Sequence, residues 1–128
     1  MFSSRGSETV LVVDDQEFVR SVMARSLRLG GYRVLEAAGG EKALAASGAH
    51  AGPIHLLVTD LAMPGMRGEA LAQRLKADRP ELRVLYVSGT PEDMLRLPDE
   101  LRRQGAFLQK PFLPTVLLEK VREAIEGR

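Results

Sequence analysis

The sequence predicts an open α/β fold: a parallel sheet of five strands, doubly wound, with helices on both faces. Two observations carry this. Short β-rich runs alternate with amphipathic segments along the chain, the pattern of successive βαβ units. Three of those runs also stop at a charge: Val10-Leu11-Val12-Val13 meets Asp14-Asp15, Leu56-Leu57-Val58-Thr59 meets Asp60, and Phe107-Leu108-Gln109 meets Lys110-Pro111. In open parallel sheets the carboxyl ends of the strands are where ligands bind. Right-handed crossovers then place helices on both sides of the sheet.

The elements follow in order. The first strand is expected over Thr9–Val13. A helix from about Gln16 to Leu29 carries Phe18, Val22 and Leu29 on one side, with Val19 and Met23 beside them, and Gly30-Gly31 ends it. The second strand covers Arg33–Ala37, and Gly39-Gly40 opens an alanine-rich helix over about Glu41–Ser47, closed near Gly48. Gly52-Pro53 is a turn signal before the third strand, His55–Thr59, which ends at Asp60. A loop, Pro64-Gly65-Met66-Arg67-Gly68, leads into a helix that runs to about Ala77, with Leu71 and Leu75 one turn apart.

Pro80 breaks the chain before the fourth strand, Arg83–Val87, which ends at Ser88-Gly89. Thr90 then fits an N-cap, with Pro91 at the first helical position and Glu92 and Asp93 in the first turn. Pro98 falls inside that helix, which must end near Leu97 or kink there. Gly105 precedes the fifth strand, Ala106–Gln109, and the last helix, Pro114–Glu126, carries Leu117, Val121 and Ile125 at four-residue spacing.

The chain's 128 residues suit one domain, expected over residues 9–126 after a flexible lead-in, residues 1–8. A net charge of +1 gives no general field for nucleic acid or anionic lipid, so neither direct nucleic-acid binding nor membrane contact is expected. No apolar stretch approaches the ~20 residues of a membrane span, and Met1-Phe2-Ser3-Ser4-Arg5-Gly6-Ser7 lacks the hydrophobic run of a secretory signal. The absence of cysteine removes disulfides, thiolate catalysis and cysteine-ligated zinc, and suits a reducing, cytoplasmic setting.

The strand ends carry the chemistry. Neither a G-x-G-x-x-G nor a G-x-x-x-x-G-K-[ST] motif occurs, so the sheet is not built around a nucleotide. Asp14-Asp15 suits a hard cation such as Mg²⁺; read alone, it fits a solvated turn with Asp15 capping the next helix equally well. Asp60, pushed into a loop by Ala62-Met63-Pro64-Gly65, could serve beside a metal as a nucleophile that forms an acyl phosphate; alone it is equally a turn or capping Asp. Ser88 could donate to a phosphoryl oxygen, or be a turn serine. Lys110 could contact a phosphate as a point charge, or be an ordinary surface lysine. The peptide bond before Pro111 is a candidate for the cis form. His50 and His55 show no metal spacing, and Arg102-Arg103 reads as a solvated face.

Together these residues resemble the receiver domain of bacterial two-component response regulators. The motifs are Val12-Val13-Asp14-Asp15, Thr59-Asp60-Leu61-Ala62-Met63-Pro64-Gly65, Val87-Ser88-Gly89 and Lys110-Pro111-Phe112, in the family's order and each at its own strand end. The resemblance implies a flavodoxin-like sheet in the order 2-1-3-4-5. It implies that Asp60 accepts a phosphoryl group from a histidine of a sensor kinase or histidine phosphotransfer protein. Asp15, Asp60 and the backbone carbonyl of Ala62 would bind Mg²⁺, with Asp14 acting through water. Lys110 would pair with the phosphate, Ser88 would move toward it, and Phe107 would answer as the switch aromatic. The domain would catalyse its own phosphorylation and slow dephosphorylation rather than turn over a metabolite.

Ala62 and Thr90, at positions that tune acyl-phosphate hydrolysis in the family, imply an unexceptional or slow rate. Pro98 weakens the face that often pairs two receivers, so a monomer or weak dimer is expected. The stretches around Asp60 and Lys110 look like receivers fused to hybrid sensor kinases; a stand-alone receiver is the other option, with a downstream protein or a fused kinase module as the reader. Two readings compete: a pseudo-receiver that signals without phosphorylation, and a small Mg²⁺-dependent phosphohydrolase. The intact Asp15, Asp60, Ser88 and Lys110 oppose the first. Ala62, in place of a second acid–base Asp, opposes the second.

Overall fold

The computed structural model describes residues 8–104 and 106–127, so residues 1–7 of the expected lead-in over residues 1–8, and the Gly105 break, lie outside the described residues. Five strands form one sheet: β1 (Thr9–Val13), β2 (Arg33–Ala37), β3 (Leu56–Asp60), β4 (Arg83–Ser88) and β5 (Ala106–Gln109). All neighbouring pairs are parallel, as the alternating pattern predicts, and the order is β2-β1-β3-β4-β5, as the family resemblance implies. Every residue of β1 and β3 is buried, the environment of central strands covered on both faces.

The helices are α1 (Glu17–Leu29), α2 (Gly40–Ala49), α3 (Gly68–Asp78), α4 (Pro91–Leu95), α5 (Asp99–Gln104) and α6 (Pro114–Glu126). Alternate strand residues point to opposite faces. Leu11, Val13, Leu57, Val84 and Tyr86 pack with Ala43 of α2 and Leu71, Ala72 and Leu75 of α3. Val10, Val12, Val58, Leu85 and Val87 pack on the other side with Met23 and Leu27 of α1 and Leu117, Val121 and Ala124 of α6. Each leucine wholly buried in these layers contributes about 1.5–3 kcal/mol relative to exposure.

Four details differ from the sequence expectation. The buried stripe of α1 is Met23, Ala24 and Leu27, while Phe18 is 80% and Leu29 82% exposed and Val22 also faces outward. The helix is apolar on more than one side, and its contact with α6 and the sheet selects the stripe through Met23 and Leu27. Second, α2 runs past Gly48 to Ala49, because the Arg79 guanidinium donates to the carbonyls of Ser47, His50 and Gly52 and so satisfies that helix end. Third, β3 runs one residue later than expected and includes Asp60, and β4 likewise extends past Val87 to include Ser88. Fourth, Pro98 divides the fourth helical region in two, giving six helices among the described residues instead of five. Thr90 does cap α4, its hydroxyl accepting from the Asp93 N–H, with Pro91 at the start.

Glu8, at the end of the expected lead-in, is anchored. Its carboxylate accepts from Arg122 at 2.6 and 3.1 Å, and its carbonyl accepts from the Arg33 N–H. This ties the start of β1 to α6 and β2, and together with Tyr32 it raises the Arg122 pKa further above its ordinary value.

Candidate functional site

Strand register assembles the site. Val13 lies beside Ala37 and Thr59, Asp60 beside Val87, and Ser88 beside Gln109. Asp14, Asp60, Ser88 and Lys110 therefore come together at the carboxyl edge of the sheet, where β1, β3, β4 and β5 end.

Asp14, Asp15 and Asp60 each place a carboxylate oxygen within 4.8 Å of the others. Asp14 is wholly buried, Asp60 is 7% exposed and Asp15 faces solvent. Lys110 closes the cluster: its Nζ donates to Asp14 Oδ2 at 3.0 Å and lies 3.6 Å from Asp60 Oδ2. The other oxygen of Asp14 accepts from the Gln16 N–H at 2.9 Å, so Asp14 rather than Asp15 shapes the turn into α1. That helix has no side-chain cap. The arrangement leaves Asp15 outside the local hydrogen-bonding seen for Asp14, at the open side of the cluster.

Burial pushes the Asp60 carboxyl above the ordinary carboxylate range. Lys110 pulls it down, and the charges of Asp14 and Asp15 push it up again. Three carboxylates and one ammonium leave a surplus of negative charge, and an all-oxygen donor set open to water fits a hard divalent cation that keeps several waters.

Three residues that the sequence reading assigned no task hold the cluster in place. Thr59 Oγ1 donates to the Asp60 carbonyl at 2.9 Å. Arg20 donates to the Asp14 carbonyl at 2.9 Å while its Nε lies 3.6 Å from Glu36. Gly68, at the start of α3, sits directly on the Asp60–Leu61 peptide: a Cβ there would collide with the Asp60 carbonyl oxygen and reach 3.1 Å from Leu61 Cα. Thr59 is visible in the sequence as the one polar residue in an apolar strand. Arg20 and Gly68 carry no comparable signal.

Ser88 is 1% exposed, and its hydroxyl donates to the Thr90 carbonyl at 2.7 Å and accepts from the Thr90 N–H at 3.1 Å. Phe107, half-buried, stacks on Tyr86 with ring centroids 5.6 Å apart. Desolvation by burial pushes the Tyr86 phenol up to about 12. Ala62 is exposed on the loop after Asp60. The Lys110–Pro111 bond is cis, and the Lys110 N–H donates to the Ser88 carbonyl at 2.8 Å. His55 lies just before β3, its Nδ1 accepting from the Thr9 N–H, and neither His55 nor His50 joins the carboxylate cluster. Arg102 and Arg103 are exposed, and Arg102 pairs with Asp99.

No helix among the described residues is long and apolar enough to cross a membrane. The sequence matches the response regulator receiver domain family over residues 10–122. The sensor kinase CckA of Brucella abortus (strain 2308) is 36% identical over 121 residues, which cover 94% of this chain and 13% of that protein. The chain thus spans a small part of that relative's length. Among solved structures, the receiver domain of the hybrid histidine kinase CckA superposes with a TM-score of 0.77 at 37% identity, covering 91% of this chain and 98% of that one. The Vibrio cholerae chemotaxis protein CheY4 gives a TM-score of 0.77 at 28% identity, covering 91% and 98%. With the parallel sheet and its acidic edge, this match means that the chain belongs to the receiver domain family of two-component response regulators.

Proposed function

We propose that the unit over residues 9–126 is a phosphoacceptor: Asp60 takes a phosphoryl group from a phosphohistidine of a sensor kinase or histidine phosphotransfer protein. The observation that carries the reading is the Asp14, Asp15 and Asp60 cluster closed by Lys110. In the transfer an Asp60 carboxylate oxygen attacks phosphorus. A P–O bond forms, the P–N bond to the donor imidazole breaks, and the electron pair leaves with the imidazole. Burial matters here, because a nucleophile with few competing waters is positioned rather than solvated.

Asp15, Asp60 and the Ala62 carbonyl would hold Mg²⁺, with Asp14 contributing through water. The bound ion would supply neutralisation of charge on the transferring oxygens. Lys110 supplies a second positive charge from the protein. The phosphoryl group brings roughly −1.5 to −2 charge, and Ser88 would leave the Thr90 backbone to donate to it. Phe107, stacked on Tyr86 beside β4, would then change rotamer and alter the surface that a partner reads. Such a domain signals in the cytoplasm, either as part of a histidine kinase like the one it resembles or as a separate protein.

The test is intact mass after incubation with acetyl phosphate and Mg²⁺. The reading predicts one phosphoryl adduct in the native chain and none in Asp60→Asn. A native chain that gains no adduct sinks it and favours the pseudo-receiver; rapid turnover of phosphate esters favours a hydrolase.

A further inference from the structure

A line of polar contacts leads away from Ser88 toward a residue outside the carboxylate cluster. The Ser88 hydroxyl is held by the Thr90 backbone on both its donor and acceptor sides, at 2.7 and 3.1 Å. Thr90 Oγ1 donates to Asp93 Oδ2 at 3.1 Å and accepts from the Asp93 N–H at 3.4 Å. The other Asp93 oxygen lies 3.6 Å from Arg67 Nη2. Arg67 stands at the N-terminal boundary of α3, in the loop that leaves Asp60, and its Nε donates to Glu69 at 3.0 Å. One guanidinium therefore joins the loop after the phosphoacceptor strand to the turn after the serine strand.

Two further facts give this contact leverage. None of the five residues of α4 is buried, and although Met94 packs partly on the core, the first turn is held by polar contacts. Nη2 of Arg67 and Oε1 of Glu69 are also buried without a hydrogen-bond partner. The carboxylate of Asp93, 3.6 Å away, is thus the charge that offsets this buried end of the guanidinium, and a rearranged turn loses that offset.

We propose that Arg67 is a positioning residue: acting through Asp93 and Thr90, it holds the turn after β4 where the Ser88 hydroxyl stays committed to the backbone. The proposal rests on the phosphoacceptor reading above. For Ser88 to reach a phosphoryl group, both of its bonds to Thr90 must break. Whatever fixes Thr90 opposes that movement, and whatever releases Thr90 favours it. An ion pair shifts such an equilibrium only by its own differential worth, which for a partly exposed pair limits the effect to about two- to fivefold.

The experiment measures beryllofluoride affinity in the presence of Mg²⁺ by calorimetry, with the native chain, Arg67→Ala, Arg67→Lys, Asp93→Asn and the double variant Arg67→Ala/Asp93→Asn. Arg67→Ala and Asp93→Asn should each tighten binding about two- to fivefold, and the double variant should gain no more than the larger single effect. Arg67→Lys, which keeps the charge, should stay within twofold of the native chain. Added salt should narrow the difference in affinity between the native chain and Arg67→Ala, a response that a purely structural role would not give. Unchanged or weaker binding by Arg67→Ala, or additive single effects, overturns the positioning role. A native chain that binds no beryllofluoride overturns the phosphoacceptor reading instead.

Discussion

The ammonium of Lys110 lies nearer to Asp14 than to Asp60: 3.0 Å separates Nζ from Asp14 Oδ2 and 3.6 Å from Asp60 Oδ2. Asp14 is wholly buried, so Lys110 is a structural counter-ion for Asp14 before any phosphate is present. Removing one partner of a buried pair leaves an uncompensated charge, whose cost is large. Lys110→Ala should therefore lower stability by about 2–3 kcal/mol in urea unfolding, somewhat below the range for fully buried pairs because the cluster opens to water. Mg²⁺ should restore part of that loss, since it binds the folded cluster alone. A stability equal to that of the native chain would contradict this role for Lys110.

Asp60 gives a pH dependence. Its folded pKa lies above the ordinary value of 3.8, chiefly through burial. The folded state thus holds the proton more tightly than the unfolded chain does. Ionised Asp60 costs stability above its folded pKa, and that cost disappears as pH falls from the folded pKa toward 3.8. Asp60→Asn should raise Tm at neutral pH, and the gap from the native chain should close as the solution is acidified through this window. A gap that widens on acidification would contradict the sign.

Gly68→Ala tests how Asp60, the proposed phosphoacceptor, is held. The added methyl meets the Asp60 carbonyl and the Leu61 backbone, neither of which can move as a flexible side chain could. Strain of this kind costs typically 1–3 kcal/mol, and it displaces the strand end that carries the carboxylate. Both urea stability and the rate of phosphorylation by acetyl phosphate should fall, the rate by about tenfold or more. Thr59→Val, which removes only the hydroxyl bonded to the same carbonyl, should show a weaker form of the same effect.

Arg79 lies away from the acidic edge. Its guanidinium donates to Ser47 Oγ and to the carbonyls of Ser47, His50 and Gly52, at 2.8 to 3.0 Å. Arg79→Ala should lower stability by about 2–3 kcal/mol, with hydrogen exchange accelerating first at the end of α2. Phosphorylation of Asp60 should be nearly unchanged, which separates this effect from that of Gly68→Ala.

Much of the fold and the acidic edge could be read locally. Asp14, Asp60 and Lys110 interrupt apolar runs, and Gly30, Pro80 and Pro98 punctuate the chain by chemistry that needs no tertiary partner. What could not be read depends on neighbours remote in sequence. Phe18 and Val22 look as apolar as Met23 and Leu27, and packing against α6 decides which pair is buried. The length of α2 depends on Arg79, some thirty residues onward. The rest position of Ser88, turned to Thr90, depends on a turn whose conformation is shared with Asp93 and Arg67.

In the proposed function one carboxylate, Asp60, carries the phosphoryl group. Reductive trapping locates that group: the chain is incubated with acetyl phosphate and Mg²⁺, treated with borohydride, and digested for peptide mass spectrometry. An acyl phosphate is reduced to the alcohol, so homoserine is expected at position 60 and unmodified aspartates at positions 14 and 15. Reduction at either of those positions, or at none of the three, would contradict it.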